Sequence, residues 1–449
     1  MNFLIKKFSS ILLIISFFLL IYTFYKSEFI YGGYNRNYYK TYYLVSSILI
    51  FLSIIAFFIN DKIKQYLIIS AISLIISIYL FEGYLTFKKQ RLDNHSYKPL
   101  LKKRLYENQT GNKWDRRKKI EIYNELIKIN KKVVVNAGPS NYLSKNNYSI
   151  FPLAGISNSK TIYCNENGNY SIYQSDRYGF NNPDEEWDSE EIEYLLVGDS
   201  STHGSCVNRP NDIGSVLRTS SNKSVLNLGS SNSGPLIEYA TLREYLNPNI
   251  KKVIWVYFMN DLSFTHELKN EILINYLNDL SYTQNLKSRQ NDIDIIANVE
   301  INKIKERELP KLSTISKKGK KNFSSKFIKF TKLYNLRFNI LPRQYRPQIT
   351  EFKKILKLAK DLTTKNNSKL YFVYLESYNH YGKNKKIDTH YNFVKKTVKQ
   401  LDIPFIDIHK KVFKKEKNPL ELFPFGFDGH YNVKGYRKTA EMIYKFTKY

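Results

Sequence analysis

Three long apolar stretches fill the first 87 residues, and after them the rhythm of the chain changes. "FSSILLIISFFLLIYTFY" begins at Phe8, "TYYLVSSILIFLSIIAFFI" at Thr41 and "YLIISAISLIISIYLFEGYLTF" at Tyr66. Each approaches the roughly 20 residues that a membrane-spanning helix needs, and polar connections separate them. Residues 1–87 are therefore expected to form a membrane anchor of three transmembrane helices. The first follows Lys6 and Lys7 like a signal peptide, but "YTFYKSEF" behind it offers no small-residue cleavage site, so it reads as an uncleaved anchor. Three spans place the two ends of the chain on opposite sides of the bilayer. The positive-inside count does not choose between the orientations. The signal-anchor character of the first stretch favours a multi-pass protein of the inner (cell) membrane, with its large C-terminal part periplasmic or otherwise extracytoplasmic.

Residues 88–192 are different again. The early part is basic, with "KKQR", "LKKR" and a helical pattern in "WDRRKKIEIYNELIKINKK"; the later part is rich in Asn, Ser, Gly and Tyr and reads as short strands and turns. From Glu193 short apolar runs alternate with amphipathic helices. "YLLVG", "SVLNLG", "KKVIWVYF", "KLYFVYL" and "IPFIDIH" are predicted strands, with helices after Ser200, at "GPLIEYATLREYL", at "TEFKKILKLAKDLTTKNN", around "THYNFVKKTVKQL" and from about Val433. Strands apolar on both faces belong to a parallel sheet covered by helices. Residues 193–449 are thus expected to be an α/β domain with helices on both faces of a parallel sheet, interrupted by a basic helical insertion at about 262–345.

Composition changes this picture little. The formal charge of +30 comes from 70 Lys and Arg against 40 Asp and Glu, but the lysines are scattered among abundant Asn, Ile, Tyr and Phe. No nucleic-acid-binding module is visible, so no nucleic-acid partner is expected. Cys164 and Cys206 are the only cysteines. They either pair in an oxidising compartment or remain two buried thiols. His266, His380, His390 and His409 match no carboxylate or cysteine cluster in the sequence, so neither metal nor cofactor is expected.

Four polar segments should meet at the carboxyl ends of the strands, where open α/β sheets work: Gly198-Asp199-Ser200, "GSSNSGP", "MND" and "FDGHYNVKGY". They supply a hydroxyl, an imidazole, a carboxylate and oxyanion donors, the parts of serine acyl transfer. Ser200 taken alone reads first as a helix cap, and only the other segments make it a nucleophile.

That set and order resembles the SGNH (GDSL) hydrolase superfamily over residues 193–449. "NENG", "SDRYGFNNP", "GDSSTHGSCV", "NLGSSNSGPLIEYATLREYL" and "DGHYNVKGY" are similar to a group of bacterial membrane-anchored SGNH proteins. The resemblance implies ester hydrolysis or acyl transfer without a cofactor, with Ser200 as nucleophile, His430 as general base and Asp428 as its orienting acid. It further implies an oxyanion site built from the N–H of Ser200, the side chain of Asn260 and the N–H of residue 232. Asn232 stands where the family carries glycine, and Asn is the side-chain-bearing residue that best tolerates positive φ. Met259 also departs from the pattern. The single residue between Asp428 and His430 resembles periplasmic polysaccharide O-acetylation proteins, which points to an ester of cell-envelope carbohydrate as substrate. A catalytically silent SGNH-fold scaffold for envelope polysaccharide assembly is the alternative. His203 lines the pocket or packs in the core.

Overall fold

The computed structural model describes residues 2–30, 33, 36–94, 97–143, 148–259, 261–308, 327–341, 348–382 and 390–448, which fall into two compact units. One comprises Met1–Ser96 with Lys311–Arg346, the other Tyr97–Pro310 with Pro347–Tyr449.

In the first unit three helices are long and apolar enough to cross a membrane, at Ile5–Ile30, Arg36–Ile55 and Asp61–Lys88. Their polarity is inverted relative to a water-soluble bundle. Ser9, Ser16, Ser46 and Ser53 are buried, whereas Phe18, Phe51 and Leu80 are exposed. Ser9 Oγ donates to the Ala56 carbonyl at 2.7 Å, tying the first helix to the end of the second. Small polar residues inside and large apolar ones outside suit a lipid surround. A helix of the basic insertion, Tyr334–Ile340, also belongs to this unit. The fully buried Glu82 carboxylate accepts the backbone N–H groups of Asn335 (3.0 Å) and Leu336 (2.7 Å), satisfying amides that a helix start leaves open. The insertion expected within the α/β domain is thus shared between the units.

The second unit begins with the helices Tyr97–Thr110 and Lys119–Leu126 and a small sheet of β1 (Val133–Val135), β2 (Lys160–Ile162) and β3 (Ile172–Gln174). β1 and β2 are parallel, β2 and β3 antiparallel. Ile122, Val133, Val135, Ile162 and, from the insertion helix Gln290–Glu308, Ala297 and Ile301 form their own core.

The main sheet has five parallel strands in the order β5-β4-β6-β7-β8, with β4 at Ile192–Gly198, β5 at Val225–Asn227, β6 at Ile250–Tyr257, β7 at Lys369–Tyr374 and β8 at Phe405–Asp407. The two-residue period of a strand sends alternate side chains to opposite faces. Tyr194, Leu196, Ile254, Val256, Tyr371 and Val373 meet the helices Ile213–Ser221 and Val433–Thr447 on one face. On the other, Tyr257 and Phe372 pack on Phe352 of the helix Ile349–Lys365, and Tyr374 packs on Tyr391. The expected α/β class, a parallel sheet with helices on both faces, is the architecture observed. The single helix expected after Ser200 is instead two, Ser200–His203 and Ile213–Ser221. Gly204 ends the first at φ 84°, where an added Cβ would stand 2.3 Å from Asp212 Cβ.

Candidate active site

β4 delivers Ser200 through a tight turn. Gly198 has φ 155°, and a Cβ there would lie 2.1 Å from Thr202 Oγ1 and 2.4 Å from the Val256 carbonyl, so only glycine fits. Asp199 caps the short helix by accepting from the Ser201 N–H at 2.8 Å. Capping is therefore the work of Asp199, and the Ser200 hydroxyl faces His430, whose Nε2 lies 2.9 Å from Ser200 Oγ.

The other side of His430 is held by a residue the sequence reading did not single out. Glu166 Oε1 lies 3.1 Å from His430 Nδ1, and Glu166 Oε2 accepts the His430 backbone N–H at 2.7 Å. The expected orienting acid, Asp428, is not at this position. Glu166 occupies both donors on that side of His430, while Asp428 is exposed and makes no hydrogen bond to His430 among the described residues. Glu166 belongs to "NENG" in the connection between β2 and β3, with the Asn165 side chain accepting from the Gly168 N–H at 2.9 Å. The neighbouring Cys164 is disulfide-bonded to Cys206, six residues past Ser200. Asn167 Nδ2 donates to the Cys206 carbonyl at 2.9 Å, a second tie across the same gap. Glu166 and Ser200, distant in sequence, are thereby fastened to one another. The signal that could have revealed Glu166 was its place two residues from one of only two cysteines.

The electrostatics suit an acid–base pair. Burial alone would raise the Glu166 carboxyl, but the hydrogen bond and charge of His430, with Lys102 nearby, hold it below the usual carboxylate value. Burial would lower His430, yet the hydrogen bond and charge of Glu166 and the charge of Asp199 raise it above the usual imidazole value. Each partner favours the charged form of the other.

Of the expected oxyanion donors, the Ser200 N–H opens the short helix, where amides lack intrahelical partners. Asn232, in the turn after β5, has φ 54°, the conformation a glycine would otherwise supply. Asn260 lies outside the described residues. His203 is buried between the rings of Tyr163 (4.6 Å) and Tyr173 (4.8 Å), and burial first, then the charge of His430, pushes it down to about 3. It is a neutral core residue.

No protein-family model matches this chain, and no curated protein matches it. Among solved structures, it is similar to a G-D-S-L family protein from Desulfitobacterium hafniense DCB-2, at 13% identity over 57% of this chain and 99% of the other, with TM-score 0.31. A lipolytic G-D-S-L family member from Veillonella parvula DSM 2008 is 14% identical over 57% and 98% of the two chains, with TM-score 0.33. The acetyl xylan esterase AlAXEase is 12% identical over 57% and 100%, with TM-score 0.31. The functional reading rests on the geometry of Ser200, His430 and Glu166.

Proposed function

We propose that this chain is a membrane-anchored serine ester hydrolase or O-acyltransferase of the SGNH type, acting on acyl or acetyl esters of cell-envelope carbohydrate. The observation that carries the reading is the unbroken line from Ser200 Oγ through the His430 ring to Glu166, at 2.9 Å and 3.1 Å. His430 Nε2 takes the Ser200 proton as Oγ attacks the ester carbonyl, and Glu166 stabilises the imidazolium at Nδ1. The N–H groups of Ser200 and Asn232, with the Asn260 side chain, receive the oxyanion. Collapse expels the sugar alkoxide, which takes the proton from His430 and leaves acyl-Ser200. Water or a sugar hydroxyl then gives its proton to His430 and attacks the acyl carbon, and collapse expels Ser200 Oγ, which takes that proton back from His430.

Three observations support the setting. The apolar helices of the first unit suit a bilayer. The Cys164–Cys206 disulfide suits an oxidising compartment, and hence a catalytic unit outside the cytoplasm. A cavity of about 690 Å³ lined by Gln109, Asn167, Phe425, Asn432 and Arg437 offers amide, guanidinium and aromatic groups of the kind sugars engage. Asn167 directly follows Glu166 and Asn432 is two residues past His430, although Ser200, His430 and Glu166 do not themselves line the cavity.

The test is turnover of a model acetyl ester by the full chain in detergent, with fluorophosphonate labelling of Ser200. Ser200→Ala should lower kcat by about 10⁴-fold or more and abolish labelling. An unlabelled wild-type chain that still binds acidic glycan would instead establish the silent scaffold. Acetate released to water, against acetate transferred to an added oligosaccharide, separates hydrolase from transferase.

A further inference from the structure

Away from Ser200, the carboxyl ends of β7 and β8 bring together residues the sequence keeps apart. Glu376 follows β7 by two residues, and Ser377 caps the short helix Tyr378–Tyr381 that presents His380. Asp407, the last residue of β8, caps Ile408–Lys411, which presents His409. His380 Nδ1 lies 3.3 Å and His409 Nδ1 2.7 Å from the same oxygen, Glu376 Oε2. The three ligand atoms lie within 4.8 Å of one another. This corrects the expectation that these histidines have no carboxylate partner.

We propose that Glu376, His380 and His409 bind a divalent cation of the zinc class, clamping the ends of β7 and β8 beside the segment that carries His430.

Two imidazole nitrogens and one carboxylate oxygen form a donor set that zinc takes readily, with a fourth position left for water or another oxygen. Tetrahedral bonds of about 2.0–2.1 Å place ligand atoms about 3.3 Å apart. The His380–Glu376 distance of 3.3 Å already has that value, and the 2.7 Å His409–Glu376 contact needs to open by about 0.6 Å. Tyr381 Oη, 2.7 Å from His409 Nδ1, is the nearest candidate for the fourth position. Hydrogen bonding alone serves His409 Nδ1 poorly. One nitrogen, carrying at most one proton, faces two oxygens at 2.7 Å.

The surroundings fix the carboxylate. Glu376 Oε1 accepts the Ser377 N–H at 2.7 Å, which turns Oε2 toward the histidines. The Tyr431 hydroxyl accepts the Glu376 N–H at 2.9 Å and donates to the Glu376 carbonyl at 2.7 Å. Tyr431 is the residue after His430, so the cluster and the catalytic imidazole share one short piece of backbone. Glu376 and His409 are buried, while His380 is partly exposed and marks the entry path. His380, Asp407, Lys410 and Lys414 act on His409 electrostatically, and the two lysines weaken the site for a cation.

The test uses the full chain in detergent, stripped with EDTA and titrated with Zn²⁺ against a chromophoric chelator. One equivalent should bind per chain and raise the thermal midpoint. His409→Ala and the milder, partly exposed His380→Ala should each lose that equivalent and the midpoint shift, whereas His266→Ala and His430→Ala should keep both. Absence of saturable binding, or equal binding by wild type and His380→Ala, would overturn the proposal. Because the readout is metal binding, a failure here is separate from a failure of the esterase reading.

Discussion

A Cβ on Gly429 would stand 2.5 Å from Glu166 Oε2, so the glycine between Asp428 and His430 makes room for a carboxylate from a different part of the chain. Gly429→Ala should displace Glu166 from the His430 backbone and ring, lowering kcat by about 10²-fold, the scale of a misplacement near 1 Å. Glu166→Gln should cost on the order of 10³- to 10⁴-fold. Asp428→Asn should leave the rate unchanged. Steady-state kinetics on a model acetyl ester check all three, and a defect in Asp428→Asn as deep as that of Glu166→Gln would return the orienting role to Asp428.

The pH profile should respond to the charges around His430. The base must be neutral, so activity rises as pH passes upward through the His430 pKa, which burial and Lys102 lower and Glu166 and Asp199 raise. Glu166→Gln should therefore move the acid limb of kcat/KM to lower pH, and Lys102→Gln should move it to higher pH. Shifts in the same direction would contradict the arrangement.

Reduction should uncouple acid from nucleophile. The Cys164–Cys206 bond spans a sequence separation of 42, for which chain entropy predicts about 4 kcal/mol of stabilisation. Cys164→Ser with Cys206→Ser should lower the denaturation midpoint by a corresponding amount. Activity should fall further than unfolding accounts for, because the Glu166 segment loses its tether. Denaturant titration alongside kinetics at low temperature separates the two effects.

Asn232 can be tested through its backbone conformation. At φ 54° glycine is unstrained and a β-branched residue is not. Asn232→Gly should keep wild-type turnover, and Asn232→Val should lose about 10²-fold in kcat, the scale of one oxyanion donor. Equal rates in the two variants would remove the residue 232 N–H from the oxyanion site.

The parallel sheet was legible because its strands are apolar runs broken at Gly or polar turns, and burial on both faces leaves no competing pattern. Ser200 and His430 were legible for a related reason, each standing where such a run has just ended or a helix is about to begin. Glu166 was not. It reaches His430 through tertiary packing and a disulfide, and no local periodicity encodes a partner 264 residues away. Asp428 looked better placed by sequence distance, but the glycine beside it admits the competitor. Glu376 was hidden similarly, since its two histidines sit on separate turns brought together by the pairing of β7 with β8. The insertion helix Tyr334–Ile340 carries apolar residues like any amphipathic helix, and nothing in that pattern names Glu82 as the group that meets its first turn.

That last pairing bears on how the protein can be dissected. Because Lys311–Arg346 belongs with the N-terminal helices, the chain passes between the two units three times, near residues 96, 310 and 346. A fragment begun at Tyr97 would carry this segment away from Glu82 and Tyr38, and with it the apolar side chains of Phe327, Ile328, Phe338 and Ile340, which are exposed even in the intact chain. A water-soluble form of the α/β unit is better sought by excising both pieces together and bridging 310 to 347 with a flexible linker.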